Sequence, residues 1–224
     1  YPRMSFDWSF VLTTLPAFGQ SVWVTLQLGA LVILTSLAVA LLNVTLLGLH
    51  RPWLTRVIRA YVELARNTPL LIQLFFLYFG LPALGLSLSG FATAVIAMTF
   101  LGGGYLTETL RAGIQAVPTS QLEAGRAIGL SRWQLLRHVQ LPQAWLASLP
   151  ALFANFIFLL KETTVASAVA VPELLYTTKN YIALYYKTYE MLAVLTLMCV
   201  LIFLPLSLAL RVVERRLQHG QFGH

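Results

Sequence analysis

Charge is the scarcest property of this chain. Only 10% of its 224 residues are Asp, Glu, Lys or Arg, against 58% hydrophobic, whereas a soluble domain carries about a quarter charged residues. That shortage excludes a soluble globular fold and marks an integral membrane protein, with room for roughly five spans of about 20 apolar residues plus loops. Cysteine is almost missing as well. Cys199 stands alone in an apolar run, which excludes an internal disulfide and a cysteine metal cluster. Histidine offers no substitute: His50, His138, His219 and His224 fall in loops or the tail, no two share a span, and no metal site is expected. The pattern Gly-x-x-x-x-Gly-Lys-Ser/Thr is absent, so the chain does not bind ATP through a phosphate loop, and any energy from ATP must enter through a partner. No signal-peptide pattern follows Tyr1. The net charge of +7 is no argument for nucleic acid, because surplus Lys and Arg in a membrane chain mark its cytoplasmic loops.

What is present is a series of apolar runs. Residues 1–20, with Phe6, Trp8 and Phe10 around Pro2 and Pro16, suit an interfacial segment on the outer side. Residues 21–218 hold five spans, at about 22–49, 58–81, 90–112, 145–171 and 191–213, and residues 219–224 form a tail. Pro69 is expected to kink the second span. Gly102-Gly103-Gly104 breaks the third or lets other helices pack closely against it; the residue types fit either outcome. Arg51, Arg56, Arg59, Arg66, Arg111, Arg126, Arg132, Arg137, Arg211, Arg215 and Arg216 lie on one side, against Arg3, Lys179 and Lys187 on the other. The positive-inside rule then predicts an external N-terminus and a cytoplasmic C-terminus.

The longest polar interval, 119–144, falls on the cytoplasmic side in this topology. Ser120 with Glu123 reads as a capping box that starts a short helix. Gly129 supplies the left-handed residue that ends it. Ser131 with Gln134 repeats the box for a second helix, which Pro142 interrupts. Two capped helices at an angle form either a solvated loop or a docking element for a soluble partner.

This loop resembles the cytoplasmic loop of permease subunits of ABC importers. That family carries Glu-Ala-Ala, three residues, Gly, nine residues, Ile, one residue, Leu-Pro. Here the same spacing holds Glu123-Ala124-Gly125, Gly129, Val139 and Leu141-Pro142, with Gly125 and Val139 as substitutions. Arg66-Asn67-Thr68-Pro69-Leu70-Leu71 with Gln73, and Lys161-Glu162-Thr163-Thr164, are similar to segments of the polar amino-acid branch, the histidine/glutamine permease type. The resemblance covers essentially the whole chain. It implies an all-α membrane protein with five transmembrane helices, the type I (MetI-like) importer permease fold, and a cytoplasmic coupling helix. It further implies a multi-pass protein of the bacterial cytoplasmic membrane that pairs with a second, identical or homologous permease. Its other partners would be two ATPase subunits that bind ATP and Mg, and a substrate-binding protein delivering a polar amino acid. The chain itself is then no enzyme and has no cofactor. Coupling falls to Ser120, Glu123, Ala124, Gly125, Arg126, Gly129, Leu141 and Pro142.

Candidates for the substrate path are Thr68, Gln73, Gly103, Tyr105, Lys161 and Glu162. Lys161 and Glu162 are ionisable and deep in the membrane, a functional position by default, with a structural ion pair as the alternative. Thr68, Gln73 and Tyr105 either line a polar cavity or bond between helices. Glu63, Arg66, Glu108 and Arg111 sit near cytoplasmic helix ends, where charges are mostly paired or interfacial. Two other classes are open on residues alone. An ion-coupled secondary transporter would need its own ion site and usually an inverted repeat, which the sequence does not display. A structural or redox subunit would need cofactor ligands.

Overall fold

The structure, a computed structural model, describes residues 6–219. Arg3 and the tail at 220–224 therefore lie outside the described residues. Helix α1, Trp8–Leu47, is capped by Asp7, whose carboxylate accepts the Phe10 amide at 3.0 Å. Its buried residues, among them Val11, Phe18, Thr25, Val32, Ser36, Ala40 and Val44, form one stripe at three- and four-residue spacing. The remaining faces of α1 are apolar and exposed, as a lipid-facing helix requires. The expected first span at Val22 begins instead at Trp8. No charge interrupts 8–49, Asp7 provides the cap, and Pro16 is carried inside the helix. Forty residues rise about 60 Å, more than the roughly 45 Å of a bilayer with its headgroups. The first turns thus extend beyond the hydrocarbon as helix, not as a separate segment.

Helix α2, Pro52–Asn67, and α3, Leu70–Phe75, meet at Thr68-Pro69. A π turn (Phe76–Gly80) and a 3-10 turn (Leu81–Leu84) continue α3, and this arm turns 103° from α2. The expected kink is a full break. Pro69 has no N–H for the carbonyl of Ala65, four residues back. The side-chain amide of Gln73 takes over that bond at 3.1 Å and also donates to the Thr68 carbonyl at 3.0 Å. Gln73 is a splint across the break.

Helix α4, Gly90–Gln115, lies at the centre and packs against α1, α2, α3 and α7, Leu141–Glu162. It runs unbroken through Gly102-Gly103-Gly104, so the glycines serve close packing. A methyl group on Gly102 would meet Ser36 and Leu159, one on Gly103 would meet Val39 and Tyr61, and one on Gly104 would meet Ala65. Three helices reach α4 through those positions. Hydrogen bonds between helices join Thr35 to Thr99, Asn43 to Thr107, and Tyr61 to the Phe100 carbonyl.

Helices α5, Thr119–Ala127, and α6, Arg132–Leu135, connect α4 to α7. After a 3-10 stretch at Thr163–Val169 come α8, Leu174–Tyr185, and α9, Thr188–His219. Among the described residues four helical stretches are long and apolar enough to cross a membrane: Trp8–Leu47, Gly90–Gln115, Arg132–Val169 and Thr188–Leu217. The bent α2–α3 pair makes five when taken as one span.

Candidate functional site: a rigid loop and the cleft above it

The loop is built from caps, though not all of the expected ones. Pro118 ends the turn after α4 and occupies the N-cap of α5, with no side-chain bond. Ser120 is therefore already inside the helix and exposed, and the Ser120–Glu123 capping box does not form. Glu123, Ala124 and Arg126 are not buried along α5. Gly125 is buried, and a Cβ there would meet the end of the Leu135 side chain of α6. Gly129 adopts φ +86° as predicted. Its amide bonds to the Arg126 carbonyl at 3.0 Å and the Leu130 amide to the Gly125 carbonyl at 3.1 Å, which together close a Schellman motif. The Ser131–Gln134 capping box is complete: Ser131 N–H donates to Gln134 Oε1 at 2.8 Å, and Gln134 N–H to Ser131 Oγ at 3.3 Å.

Pro142 does not interrupt the second helix. A π turn at Leu136–Gln140 widens the helix just ahead of it, the Leu141 amide reaching the Leu136 carbonyl. The turn gives the proline ring room and merges α6 with α7, so that Pro142 occupies a first-turn position. Leu141 packs with Ala40, Val44, Leu106, Leu110 and Leu152. The loop is thus a short bracket joined without slack to α4 and α7.

Directly above the bracket, α2, α4 and α7 enclose an open cleft of about 490 Å³. Its polar lining comes from Arg66, Tyr105, Glu108, Thr109, Ser148 and Asn155. The Arg66 guanidinium lies 5.3 Å from the centre of the Tyr105 ring, a cation–π distance. Asn155 donates to Thr109 Oγ1 at 2.9 Å and Ser148 to the Thr109 carbonyl at 3.2 Å. Glu108 and Arg111 form the bidentate ion pair expected one turn apart, with Arg111 Nε to Glu108 Oε2 at 2.9 Å. Glu63 does not pair with Arg66; it accepts from Asn67 at 2.9 Å.

Of the residues proposed from sequence for the substrate path, only Tyr105 lines this cleft. Thr68 and Gln73 border a separate, apolar cleft in the α2–α3 bend, and Thr68 Oγ1 is bonded to the Leu64 carbonyl. Gly103 is buried at the helix contacts described above. Lys161 faces another side of α7, in a cleft of about 310 Å³ with Ser207, Arg211 and Glu214 of α9. Glu162, half-buried, belongs to neither lining. Sequence reasoning passed over Thr109, Ser148 and Asn155. The signal was a stripe of small residues, Ala112, Gly113 and Ala116 on α4 facing Ala147, Ser148 and Ala151 on α7, which leaves the cleft its width.

A helical bundle with several membrane-crossing stretches, an open polar cleft and a stiff bracket at one end has the architecture of a transport permease. The chain belongs to the family of binding-protein-dependent transport system inner membrane components, which it matches over residues 45–219. It is 31% identical over 221 residues to the glutamine transport system permease protein GlnP of Escherichia coli K12, covering 96% of this chain and 99% of that one. The L-cystine transport system permease protein TcyB of Bacillus subtilis is 35% identical over 207 residues, or 90% of this chain and 87% of that protein. A crystal structure of an amino acid ABC transporter with histidines matches with TM-score 0.88 and 30% identity, over 95% of this chain and 100% of the other. The MetNI methionine ABC transporter, inward facing, shares the fold at TM-score 0.77 and 24% identity, over 92% and 98% of the two chains. The chain is therefore a multi-pass membrane permease subunit of the ABC importer type.

Proposed function

We propose that this permease imports a polar amino acid by alternating access, driven by two ATPase subunits that bind ATP and Mg and hold the 120–144 loop in their surface grooves. A second permease copy, identical or homologous, completes the pathway, and a substrate-binding protein delivers substrate from outside. The N-terminus lies outside, the C-terminus and the loop in the cytoplasm of a bacterial inner membrane, in keeping with the arginine distribution.

The observation that carries this reading is the bracket. The end of its first helix and the start of its second are capped, and it leads through Pro118 to α4 and through a π turn to α7, the helices that form the cleft with α2. A push on the bracket tilts α4 against α7 and alters access to Arg66, Tyr105 and Asn155. Ser120, Glu123, Ala124, Gly125, Arg126, Gly129, Leu141 and Pro142 form or support the docking surface. Of the sequence candidates for the path, Tyr105 lines it, Gln73 and Gly103 act on it through helix geometry, and Thr68, Lys161 and Glu162 lie away from the cleft.

The test is uptake of radiolabelled polar amino acids into vesicles holding the assembled transporter and its binding protein. ATP should be required, and an ATPase-dead partner should abolish uptake. Transport that persists with the dead ATPase and collapses with an ion gradient would establish an ion-coupled carrier instead. A reporter inserted at Gly85 should be active outside only, and one after Gly223 inside only.

A further inference from the structure

A fourth cleft, of about 240 Å³, lies where the bracket meets the α1–α2 turn. It is lined by His50, Leu122, Arg126, Arg132, Leu135 and Gln140. Two guanidiniums, an imidazole and a carboxamide converge there, and the lining includes no carboxylate. Neither Arg126 nor Arg132 takes part in an ion pair among the described residues. Arg126, in the last turn of α5, is favoured there by the helix dipole, and Arg132, the first residue of α6, is exposed beside it.

His50 is held in position in the same cleft. Its backbone is left-handed, φ +53°, and Nδ1 lies 2.7 Å from the Gly48 carbonyl. A carbonyl only accepts, so Nδ1 carries the proton, and Nε2, the free ring nitrogen, donates to a phosphate oxygen only in the imidazolium form. The turn follows the end of α1, a helix long and apolar enough to cross a membrane, which puts the cleft beside the end of that candidate span. Exposed tryptophans flank both walls in sequence, Trp53 after His50 and Trp133 after Arg132, the residue type that anchors at this interface.

We infer that this cleft binds the headgroup phosphate of an anionic phospholipid and so ties the bracket to the inner leaflet. The side of the membrane rests on the topology proposed above; the site itself does not. Bound lipid would clamp the α1–α2 turn to the bracket from outside the chain's own hydrogen bonds.

The experiment uses the assembled full-length transporter and follows lipid retention by native mass spectrometry, with phosphatidylglycerol, phosphatidylcholine, glycerophosphate and inorganic phosphate as probes. Phosphatidylglycerol should be retained over phosphatidylcholine, and neither soluble phosphate should displace it at matched concentration. Each basic side chain is worth about fivefold at a charged membrane surface, so Arg126→Gln with Arg132→Gln should weaken retention on the order of thirtyfold. Arg126→Lys with Arg132→Lys should recover most of it. Arg59→Gln, an exposed basic residue on the same side but outside the cleft, should cost no more than the roughly fivefold of one surface charge. Equal loss with Arg59→Gln would mean diffuse surface charge and overturn the site. Unchanged lipid retention in the double glutamine variant would overturn it too, and loss of the ATPase alone would reassign the cleft to a protein contact. Displacement by glycerophosphate or inorganic phosphate would reassign it to a soluble anion. Since retention rather than uptake is measured, failure here leaves the transport reading untouched, and the reverse holds.

Discussion

Gln73 offers the sharpest test of how this permease holds its shape. Its amide nitrogen serves the Ala65 and Thr68 carbonyls, the first in a fully buried residue, because Pro69 cannot. Gln73→Leu keeps the apolar bulk and orphans both. A buried carbonyl without a donor costs about 1–3 kcal/mol. Part of that is offset, since the Gln73 Oε1 is itself buried without a partner and leucine removes it. The net expectation is a loss of about 1–3 kcal/mol, not the sum of two orphaned groups. For a chain of this size that is on the order of 3–10 °C in the melting midpoint. Gln73→Glu should be worse, because a carboxylate sets an acceptor against two acceptors. The assay pairs thermal denaturation in detergent with spin-label distances between Trp53→Cys and Leu84→Cys, exposed positions on the two arms, in a Cys199→Ser background. Leucine should broaden the distance distribution and glutamate broaden it further. A glutamate variant as stable as the parent, with an unchanged distance, would refute the splint.

Ser120→Ala should be silent in stability, within about 0.5 kcal/mol, because Ser120 makes no cap bond; uptake at parental rate checks it. Gly129→Val should abolish ATP-coupled uptake while the spans still insert. No neighbour obstructs the added side chain, so the defect is the left-handed backbone alone. Gly113→Ala forces a methyl onto Ser148 and the Ala144 backbone at the root of the bracket. It should cost about 1–3 kcal/mol of overpacking and lower the ratio of transport to ATP hydrolysis. Glu173 caps α8 through the Leu175 and Tyr176 amides, and burial pushes its carboxyl from 4.5 up to about 7. The folded chain then holds this proton more tightly than the unfolded one, so stability should fall as pH rises from about 4.5 through about 7. Lys179 and the Cys199 thiol are the other ionisable groups near it, and Glu173→Gln should flatten that pH dependence of the melting midpoint.

Where local rules decided the outcome, the sequence was legible. Gly129 and the Ser131–Gln134 box depend only on residues within one turn of each other, and both form as read. Ser120 failed because two signals competed: Pro118 fixes its own φ at −57° and starts the helix early, which leaves no cap for Ser120 to fill. The glycines of α4 were ambiguous in isolation, since only the arrival of Ser36, Tyr61 and Ala65 from two other helices distinguishes packing from breakage. Pro142 was misread because a π turn, invisible to propensity, removes the clash. The cleft hid for a related reason. Its width depends on which alanines face each other across α4 and α7, and that register is a tertiary fact.

The same pairing places the loop and the cleft, far apart in sequence, along one helix contact. α4 descends from the cleft into the bracket and α7 rises out of it, and the two pass closely where Gly113, itself part of the cleft lining, meets Ala144 and Ser148. Above that contact Asn155 and Ser148 of α7 hold Thr109 of α4 through two further hydrogen bonds, at 2.9 and 3.2 Å. If the bracket drives the cleft as proposed, those two bonds bridge the helices above Gly113 and are the ones that a tilt of α4 against α7 strains first.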